Sequence, residues 1–172
     1  MSGLILPYKG TLPTIDASAY VAPTATVVGD VVIGPDSSVW FGCTVRGDVN
    51  EIRIGARTNI QDGTVVHVAA AGQGTYIGDD ISIGHMALLH ACTLDSGCFI
   101  GMKACIMDGA RVESGAMVAA GALVTPGKRV KTGELWAGSP ARPIRNLTEK
   151  DLDFFPLNVR NYVALAAAYR GA

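Results

Sequence analysis

Residues 94–124 read LDSGCFIGMKACIMDGARVESGAMVAAGALV, and every sixth position of this stretch, from Leu94 to Val124, is aliphatic. The same spacing occurs in three earlier runs, at positions 21, 27, 33, 39 and 45, then 54, 60 and 66, then 77, 83 and 89. Such a period does not keep one face of an α-helix apolar, because six residues turn a helix by about 600°, roughly 120° from a whole number of turns. It favours very short strands separated by turns and wound into a solenoid, with the aliphatic side chains stacked inside.

The residue that follows the aliphatic position is often glycine, as in Ile33-Gly34, Ile54-Gly55, Ile77-Gly78, Ile83-Gly84 and Ile100-Gly101. We expect these glycines at the corners of the solenoid, where the chain needs a positive φ that glycine adopts without strain.

Two interruptions break the six-residue phase. Val45 and Ile54 are nine residues apart, and Val66 and Ile77 are eleven apart, with the second excess falling in the segment 69–75, AAAGQGT. Insertions in a solenoid loop out from a corner, usually where something binds. Both interruptions flank the region that contains the histidines.

The repeat ends near residues 136–142, and the composition changes after Asn146. Thr148 is a candidate helix cap with an acidic residue three positions later, and residues 159–169 are rich in alanine. We expect Pro156 to interrupt the helical segment. The predicted organisation is a β-helix domain with a short N-terminal lead-in over residues 1–146, and a helical segment over 147–172 that packs on the β-helix or against a neighbouring copy.

The charge balance narrows the possible partners. The 172 residues have a formal net charge of −1 and contain no run of Lys or Arg, which argues against nucleic acid and against an anionic membrane surface. The N-terminus lacks the regions of a signal peptide, and no stretch approaches about 18 apolar residues. We therefore expect a cytoplasmic protein.

The repeat closely resembles the hexapeptide-repeat family, whose members form a left-handed parallel β-helix with three hexapeptides, or 18 residues, in each triangular coil. The resemblance implies an all-β solenoid followed by a C-terminal α-helix. The three histidines of the chain, His67, His85 and His90, lie within 24 positions. If a coil takes 18 residues, His67 and His85 occupy equivalent places on adjacent coils, unless the insertion between them shifts the phase.

A second resemblance rests on the residues around these histidines. The pattern is similar to the signature of gamma-class carbonic anhydrases in order and approximate spacing: Arg46-Gly47-Asp48, Asn59-Ile60-Gln61-Asp62, His67, Gly84-His85 and His90. The resemblance implies a homotrimer with a metal ion at each subunit interface. Two ligands, His67 and His90, would come from one subunit and His85 from the next. Zn²⁺ suits three imidazoles with an open fourth position, although Co²⁺ or Fe²⁺ would also fit.

The same resemblance implies an activity, the reversible hydration of CO2 to bicarbonate with a metal-bound hydroxide as the nucleophile. It gives Gln61 a hydrogen bond to that hydroxide or to the substrate, with Asn59 orienting the Gln61 amide. A plainer interpretation is that both amides bond to the backbone at a corner.

The remaining predicted site residues are Arg46, Asp48, Asp62 and Tyr162. The resemblance implies that Arg46 and Asp48 pair across the interface and that Asp62 supports Arg46. Their alternative role is a surface ion pair worth less than about 1 kcal/mol. Tyr162, on the C-terminal helix, would reach the site from outside, and its alternative role is helix packing.

The sequence departs from the family pattern at the positions that would carry protons away. Val49 stands where fast members of the class have a glutamate after the aspartate, and segment 69–75 contains no acidic residue. Proton export normally needs a side chain that titrates near the working pH. The sequence therefore predicts slow CO2 hydration or a different electrophile. An acyl-CoA thioesterase or acyltransferase and a non-catalytic metal-binding trimer remain as alternatives.

Overall fold

The computed structural model describes residues 3–171, which form a parallel β-solenoid of about seven turns followed by a C-terminal helix. The strands are β1 (Leu4–Leu6), β2 (Thr14–Ile15), β3 (Tyr20–Val21), β4 (Thr26–Ile33), β5 (Ser38–Val39), β6 (Thr44–Ile54), β7 (Asn59–Ile60), β8 (Val65–His67), β9 (Thr75–Ile77), β10 (Ser82–Ile83), β11 (Leu88–His90), β12 (Thr93–Leu94), β13 (Phe99–Ile100), β14 (Cys105–Ile106), β15 (Arg111–Val112), β16 (Met117–Val118), β17 (Leu123–Val124), β18 (Arg129–Val130), β19 (Glu134–Gly138) and β20 (Ala141–Asn146). The helix is α1 (Glu149–Arg170).

These elements confirm the predicted fold class, a left-handed parallel β-helix with a C-terminal α-helix. The strands end at Asn146 and the helix begins at Glu149. Whether residues 1–146 and 147–172 are separate units stays a prediction. Residues 1, 2 and 172, the outermost positions of those two segments, lie outside the described residues.

Each full coil contributes strands to three faces of a triangular prism. Face A contains β3, β5, β7, β10, β13, β16, β19 and β20. Face B contains β1, the first halves of β4 and β6, then β8, β11, β14 and β17. Face C contains β2, the second halves of β4 and β6, then β9, β12, β15 and β18. We call the corner between faces A and B the AB edge, and the corner between faces B and C the BC edge.

The core consists of the six-residue repeat. Every predicted aliphatic position from Val21 to Val124 has a side chain that is no more than 6% exposed. This burial confirms that the repeated aliphatic side chains point inward. Parallel pairing places these residues above one another, as in the face A column Ile60, Ile83, Ile100 and Val118. Full burial of each such side chain contributes about 1.5–3 kcal/mol, and β-branched residues fit the pleated strand.

The glycines after the aliphatic positions are required for a different reason than the predicted one. Gly84 and Gly101 do not have positive φ. A Cβ at Gly101 would lie 2.4 Å from the backbone nitrogen of Ala120 on the next coil. The positive φ occurs two residues later, at Met86 (60°) and Lys103 (59°). The prediction of positive φ at these glycines is wrong, because coils stacked about 4.8 Å apart leave no room there for a side chain.

Helix α1 begins with a capping box, in which the Thr148 side chain accepts from the Asp151 N–H and the Asp151 carboxylate accepts from the Thr148 N–H. It continues through Pro156 to Arg170, so the predicted interruption is wrong. The proline removes one backbone hydrogen bond, whereas the helix packs an aromatic and aliphatic face on the solenoid. Phe155, for example, stacks on Phe99 of face A with ring centroids 5.1 Å apart.

Contacts of α1 with face A account for its position along the solenoid. Tyr162 packs edge-on against Trp40 with ring centroids 5.5 Å apart, and the ring centroids of Tyr169 and Tyr20 are 5.6 Å apart. Within residues 3–171, no helix has the length and apolar character that crossing a membrane would require.

Both phase breaks lie at the BC edge. The first is absorbed by β6, a strand of 11 residues whose start pairs on face B and whose end pairs on face C. The second forms the loop between β8 and β9. The Thr75 hydroxyl closes this loop by donating to the His67 carbonyl at 2.5 Å. Both insertions therefore bring additional chain to the edge where His67 and His90 lie.

The corner at residues 101–103 gives a test with opposite expectations at two neighbouring positions. Gly101→Ala should lower the free energy of unfolding by about 1–3 kcal/mol, because its methyl group collides with backbone that side-chain movement does not relieve. Lys103→Gly should leave the free energy of unfolding within about 1 kcal/mol of the wild-type value. Glycine adopts the positive φ at this position without strain, but it loses more conformational entropy on folding, and the two effects oppose each other. Urea unfolding of both variants measures this, and equal losses would contradict the close-approach explanation.

Candidate metal centre

His67 and His90 are paired across adjacent coils at the BC edge. They occupy the same register position at the ends of β8 and β11, and their ring centroids lie 5.2 Å apart. His67 and His85 are not equivalent, because the insertion between β8 and β9 lengthens that coil by five residues and shifts the phase, the condition under which the equivalence was to fail. His85 instead lies in the turn after β10, at the AB edge.

A carboxylate holds the ring of His90. Oδ1 of Asp108 lies 2.7 Å from Nδ1 of His90, and the two residues are 18 positions apart, one coil of the solenoid. A neutral imidazole that donates its Nδ1–H to a carboxylate keeps the Nε2 lone pair free for another ligand. Asp108 was not among the predicted site residues, although the sequence shows an acidic residue one coil after a histidine.

His67 contacts a different carboxylate through its other nitrogen. Its Nε2 lies 3.1 Å from Oδ1 of Asp48, and Arg46 donates a hydrogen bond to Oδ2 of the same carboxylate. Burial raises the pKa of Asp48, but the hydrogen bonds from His67 and Arg46 outweigh it and hold that pKa below its ordinary value. Arg46 and Asp48 therefore pair within one chain, and their pairing across subunits stays a prediction.

His85 has a carboxylate partner of its own at the AB edge. Its Nδ1 lies 2.9 Å from Oδ2 of Asp62, which leaves Nε2 free of this contact. The Met86 N–H donates to the Asp62 carbonyl at 2.8 Å and holds the two turns together. Within a single chain Asp62 contacts His85 and not Arg46, so the predicted support of Arg46 would have to come from another subunit.

Gln61 and Asn59 are both buried beside the AB edge. Gln61 Nε2 donates to Asn59 Oδ1 at 3.0 Å, so the two amides make the contact that the sequence analysis expected. Gln61 Oε1 has no hydrogen-bond donor in residues 3–171, yet no fully enclosed polar side-chain atom of those residues lacks a partner. It follows that Oε1 reaches the molecular surface, where it is able to accept a hydrogen bond.

Tyr162 lies on α1 over face A, half-buried against Trp40. Burial, and secondarily the negative charge of Asp62, raise the pKa of the Tyr162 phenol. The contact with Trp40 matches the helix-packing interpretation. A role for Tyr162 in the site stays a prediction.

The carboxylates near the BC edge are already engaged. Val49 is exposed and carries no charge. Glu51, the next acidic residue along β6 after Asp48, accepts from Arg53 at 2.6 Å and from the Tyr76 hydroxyl at 2.8 Å. The loop between β8 and β9 contains no acidic residue that would replace it.

The potential ligands form two groups at opposite edges of face B. We call His67 and His90, with Asp48 and Asp108, the BC half-site, and His85, with Asp62 and Gln61, the AB half-site. Among the described residues, no group of three or more His, Cys, Asp or Glu side chains in one chain is placed to hold a metal ion. His90 and His85, each with a carboxylate at Nδ1 and a free Nε2, nevertheless have the chemistry of zinc ligands, so the type of donor fits the metal.

Comparisons with known proteins identify the family. No protein-family model matches the chain. It is 49% identical over 162 residues to gamma carbonic anhydrase 1, mitochondrial, from Arabidopsis thaliana; these cover 91% of the chain and 59% of the relative, so the chain spans about three-fifths of that protein. It is 43% identical over 167 residues to a carbonic anhydrase from Geobacillus kaustophilus, covering 97% of the chain and 91% of the relative.

A solved structure gives the same assignment of fold. The crystal structure of a hexapeptide transferase family protein from Anaplasma phagocytophilum superposes with a TM-score of 0.93 at 46% identity, covering 96% of this chain and 98% of that one. Its high similarity over nearly full length confirms the hexapeptide-repeat β-helix. Taken together with the relatives named above, it shows that the chain belongs to the gamma-class carbonic anhydrase family of hexapeptide-repeat proteins.

Proposed function

We propose that this protein is a metal-dependent lyase that interconverts CO2 and bicarbonate. The observation that carries the proposal is the division of the three histidines into two half-sites at opposite edges of one face. This division is what a site shared between subunits requires. The names of the Arabidopsis and Geobacillus relatives support the reaction.

A homotrimer would complete the site. The outer surface of face B has an apolar column in which Val65 and Leu88, each 38% exposed, are in register with Cys105 and Leu123. In a ring of three copies, each interface joins one surface of a chain to a different surface of the next chain. Packing face B in this way would bring the BC half-site of one subunit against the AB half-site of the next.

The residues that would hold the metal are His67 and His90 of one subunit and His85 of its neighbour. Zn²⁺ fits these donors, and Co²⁺ or Fe²⁺ are further candidates. When bound, such an ion lowers the pKa of water so that it ionises near neutral pH and supplies a nucleophile for CO2. Asp108 and Asp62 would keep His90 and His85 in the orientation and tautomer that offer Nε2.

The side chains around the histidines would orient the reactants. Gln61 would accept a hydrogen bond from the attacking water or from the protonated oxygen of bicarbonate, and Asn59 would hold the Gln61 amide. Arg46 would position Asp48 beside His67. Tyr162 would border the site from α1.

Few side chains near the histidines could carry protons away from the proposed site. The three carboxylates nearest the histidines, those of Asp48, Asp62 and Asp108, are each in contact with an imidazole. The exposed side chain at the first predicted relay position is Val49. We therefore propose slow turnover limited by proton transfer, since each carboxylate that contacts a histidine within residues 3–171 is held in that contact and is not free to relay protons. A cytoplasmic location stays a prediction, because the Arabidopsis relative is named as mitochondrial.

A second candidate is acyl transfer or thioester hydrolysis; the Anaplasma structure is named as a hexapeptide transferase family protein, which favours group transfer. A panel of acyl-CoA thioesters with a thiol-release readout distinguishes the two. Thiol release that His85→Ala leaves unchanged would favour this candidate over the metal-dependent lyase. A third possibility, the non-catalytic metal-binding trimer, would give stoichiometric metal without turnover in either assay.

The activity itself is tested by stopped-flow CO2 hydration on zinc-loaded protein. We expect a metal-dependent rate above buffer that His85→Ala reduces to the buffer rate, because the variant lacks one of the three nitrogen donors. Asn161→Ala, an exposed position on α1, is the control and should retain the wild-type rate. A wild-type rate equal to buffer would refute the proposed reaction.

The shared site is tested by complementation between two inactive variants. His67→Ala damages only the BC half-site and His85→Ala only the AB half-site, so random co-assembly should leave about a quarter of interfaces intact. Co-expressed chains should recover about that fraction of wild-type metal content and hydration rate. The matched control is His67→Ala with His90→Ala, which damages the same half-site in both chains and should recover nothing. Equal recovery in both mixtures, or a metal-binding monomer by light scattering, would contradict the trimer.

Removal of the carboxylate behind His90 tests how the ring is held. Asp108→Ala should weaken Zn²⁺ affinity about 10- to 100-fold, because the ring loses its Nδ1 partner. Asp108→Asn should fall between this variant and the wild type, because the amide oxygen still accepts a hydrogen bond. Chelator competition measures the affinity, with Asp153→Ala, an exposed carboxylate on α1, as the control. Unchanged affinity in Asp108→Ala would show that the contact does not position the ligand.

A further inference from the structure

A line of hydrogen bonds connects the C-terminal helix to Gln61 along the outer side of face A, where α1 covers the sheet. The Ser82 hydroxyl donates to Asn158 Oδ1 at 2.8 Å, and Asn59 Nδ2 donates to the Ser82 oxygen at 2.9 Å. Gln61 Nε2 then donates to Asn59 Oδ1 at 3.0 Å. We call these four residues the amide relay. Its first member is on α1, and its last member belongs to the AB half-site.

The direction of the relay is fixed at two points. Asn59 Nδ2 also faces the Ile81 carbonyl at 3.4 Å, and a carbonyl oxygen only accepts. Ser82 has a single hydroxyl proton, and because that proton goes to Asn158, the hydroxyl oxygen is left to accept from Asn59. Both constraints point the Asn59 nitrogen away from Gln61 and its oxygen toward Gln61.

The consequence reaches the surface at Gln61. Since Nε2 is taken by Asn59, the exposed end of the amide is the Oε1 acceptor. If the relay ran the other way, Gln61 would present an N–H donor in the same place. Ser82, Asn59 and Gln61 are at most 4% exposed, so bulk water does not compete for these bonds, and an unmatched partner there is costly.

We propose that Asn158 is a positioning residue that, through Ser82 and Asn59, makes Gln61 a hydrogen-bond acceptor at the AB half-site. What Gln61 contacts rests on the proposed function, whereas the direction of the relay does not. An acceptor selects an oxygen that carries a proton, such as attacking water or the hydroxyl of bicarbonate. It offers nothing to the oxygens of CO2, which only accept.

Asn158 therefore contributes to substrate selection without contacting the substrate. Asn158 lies between Phe155, which packs on Phe99, and Tyr162, which packs on Trp40, so packing of α1 holds the first member of the relay in place. The direction of the relay depends on Asn158 being an acceptor. Aspartate preserves that property and alanine removes it.

The test compares Asn158→Ala, Asn158→Asp and Ser82→Ala in the full-length zinc-loaded protein. The first readout is the side-chain amide NMR signals of Gln61 and Asn59, which report the orientation of both groups whether or not the protein turns over CO2. The second readout is the split between kcat and KM for CO2 hydration. Asn161→Ala is the matched control, because Asn161 is the same residue type, is exposed on the same helix, and makes no side-chain hydrogen bond within residues 3–171.

We expect Asn158→Ala and Ser82→Ala to shift or double the Gln61 and Asn59 signals and to lower kcat about 2- to 10-fold, the equivalent of one hydrogen bond, at unchanged zinc content. Asn158→Asp should restore the wild-type signals, because a carboxylate also accepts from Ser82. Wild-type signals in both alanine variants, or an Asn158→Asp protein as perturbed as Asn158→Ala, would overturn the proposal. Shifted signals in a protein without hydration activity would support the relay and refute the proposed function instead.

Discussion

The stacking of coils at the spacing of parallel strands is the constraint on which the rest of the structure depends. Each coil lies about 4.8 Å from the next, so every position on a face has a fixed neighbour above and below it. The aliphatic columns inside follow from this, and so does the need for glycine at Gly84 and Gly101, where the next backbone lies against the corner. The site follows from the same rule, because His67 meets His90, and His90 meets Asp108, as members of adjoining coils.

Periodicity made the fold predictable in detail. A side-chain period of six is incompatible with a helix, and the seventeen predicted inward positions are all buried. The structural reason for an individual glycine or proline was harder to infer from the sequence. Glycine serves both positive φ and close approach, and the sequence does not distinguish them until the neighbouring coil is placed. Pro156 shows the same limit, since the packing of α1 on face A overrides a local preference that is all the sequence displays.

For the candidate site, the sequence predicted individual residues but not how the fold arranges them, and the roles of those residues stay predictions. The three histidines, Gln61 and Asn59 were recognisable from their pattern, and the contact between the two amides is present. Pairing of the histidines depended on how the insertion before β9 is accommodated, which sequence distance does not reveal. The contacts of Asp108 with His90 and of Asn158 with Ser82 join residues 18 and 76 positions apart. The contact of Asp108 with His90 can be inferred only from the 18-residue length of a coil. The contact of Asn158 with Ser82 can be inferred only when the position of α1 on face A is known.

The loop between β8 and β9 lies outside the stack, and its length is therefore free of the register that the strands impose. Residues can be gained or lost there while His67 and His90 remain neighbours, so the number of positions between these two histidines is not a reliable marker of their relationship. The loop also begins and ends at the edge that carries them. A single acidic residue introduced in this loop would place a titratable group close to the histidines without disturbing a strand. Under the proposed function, the rate of proton transfer would therefore depend on one surface loop, separately from the coils that position the histidines.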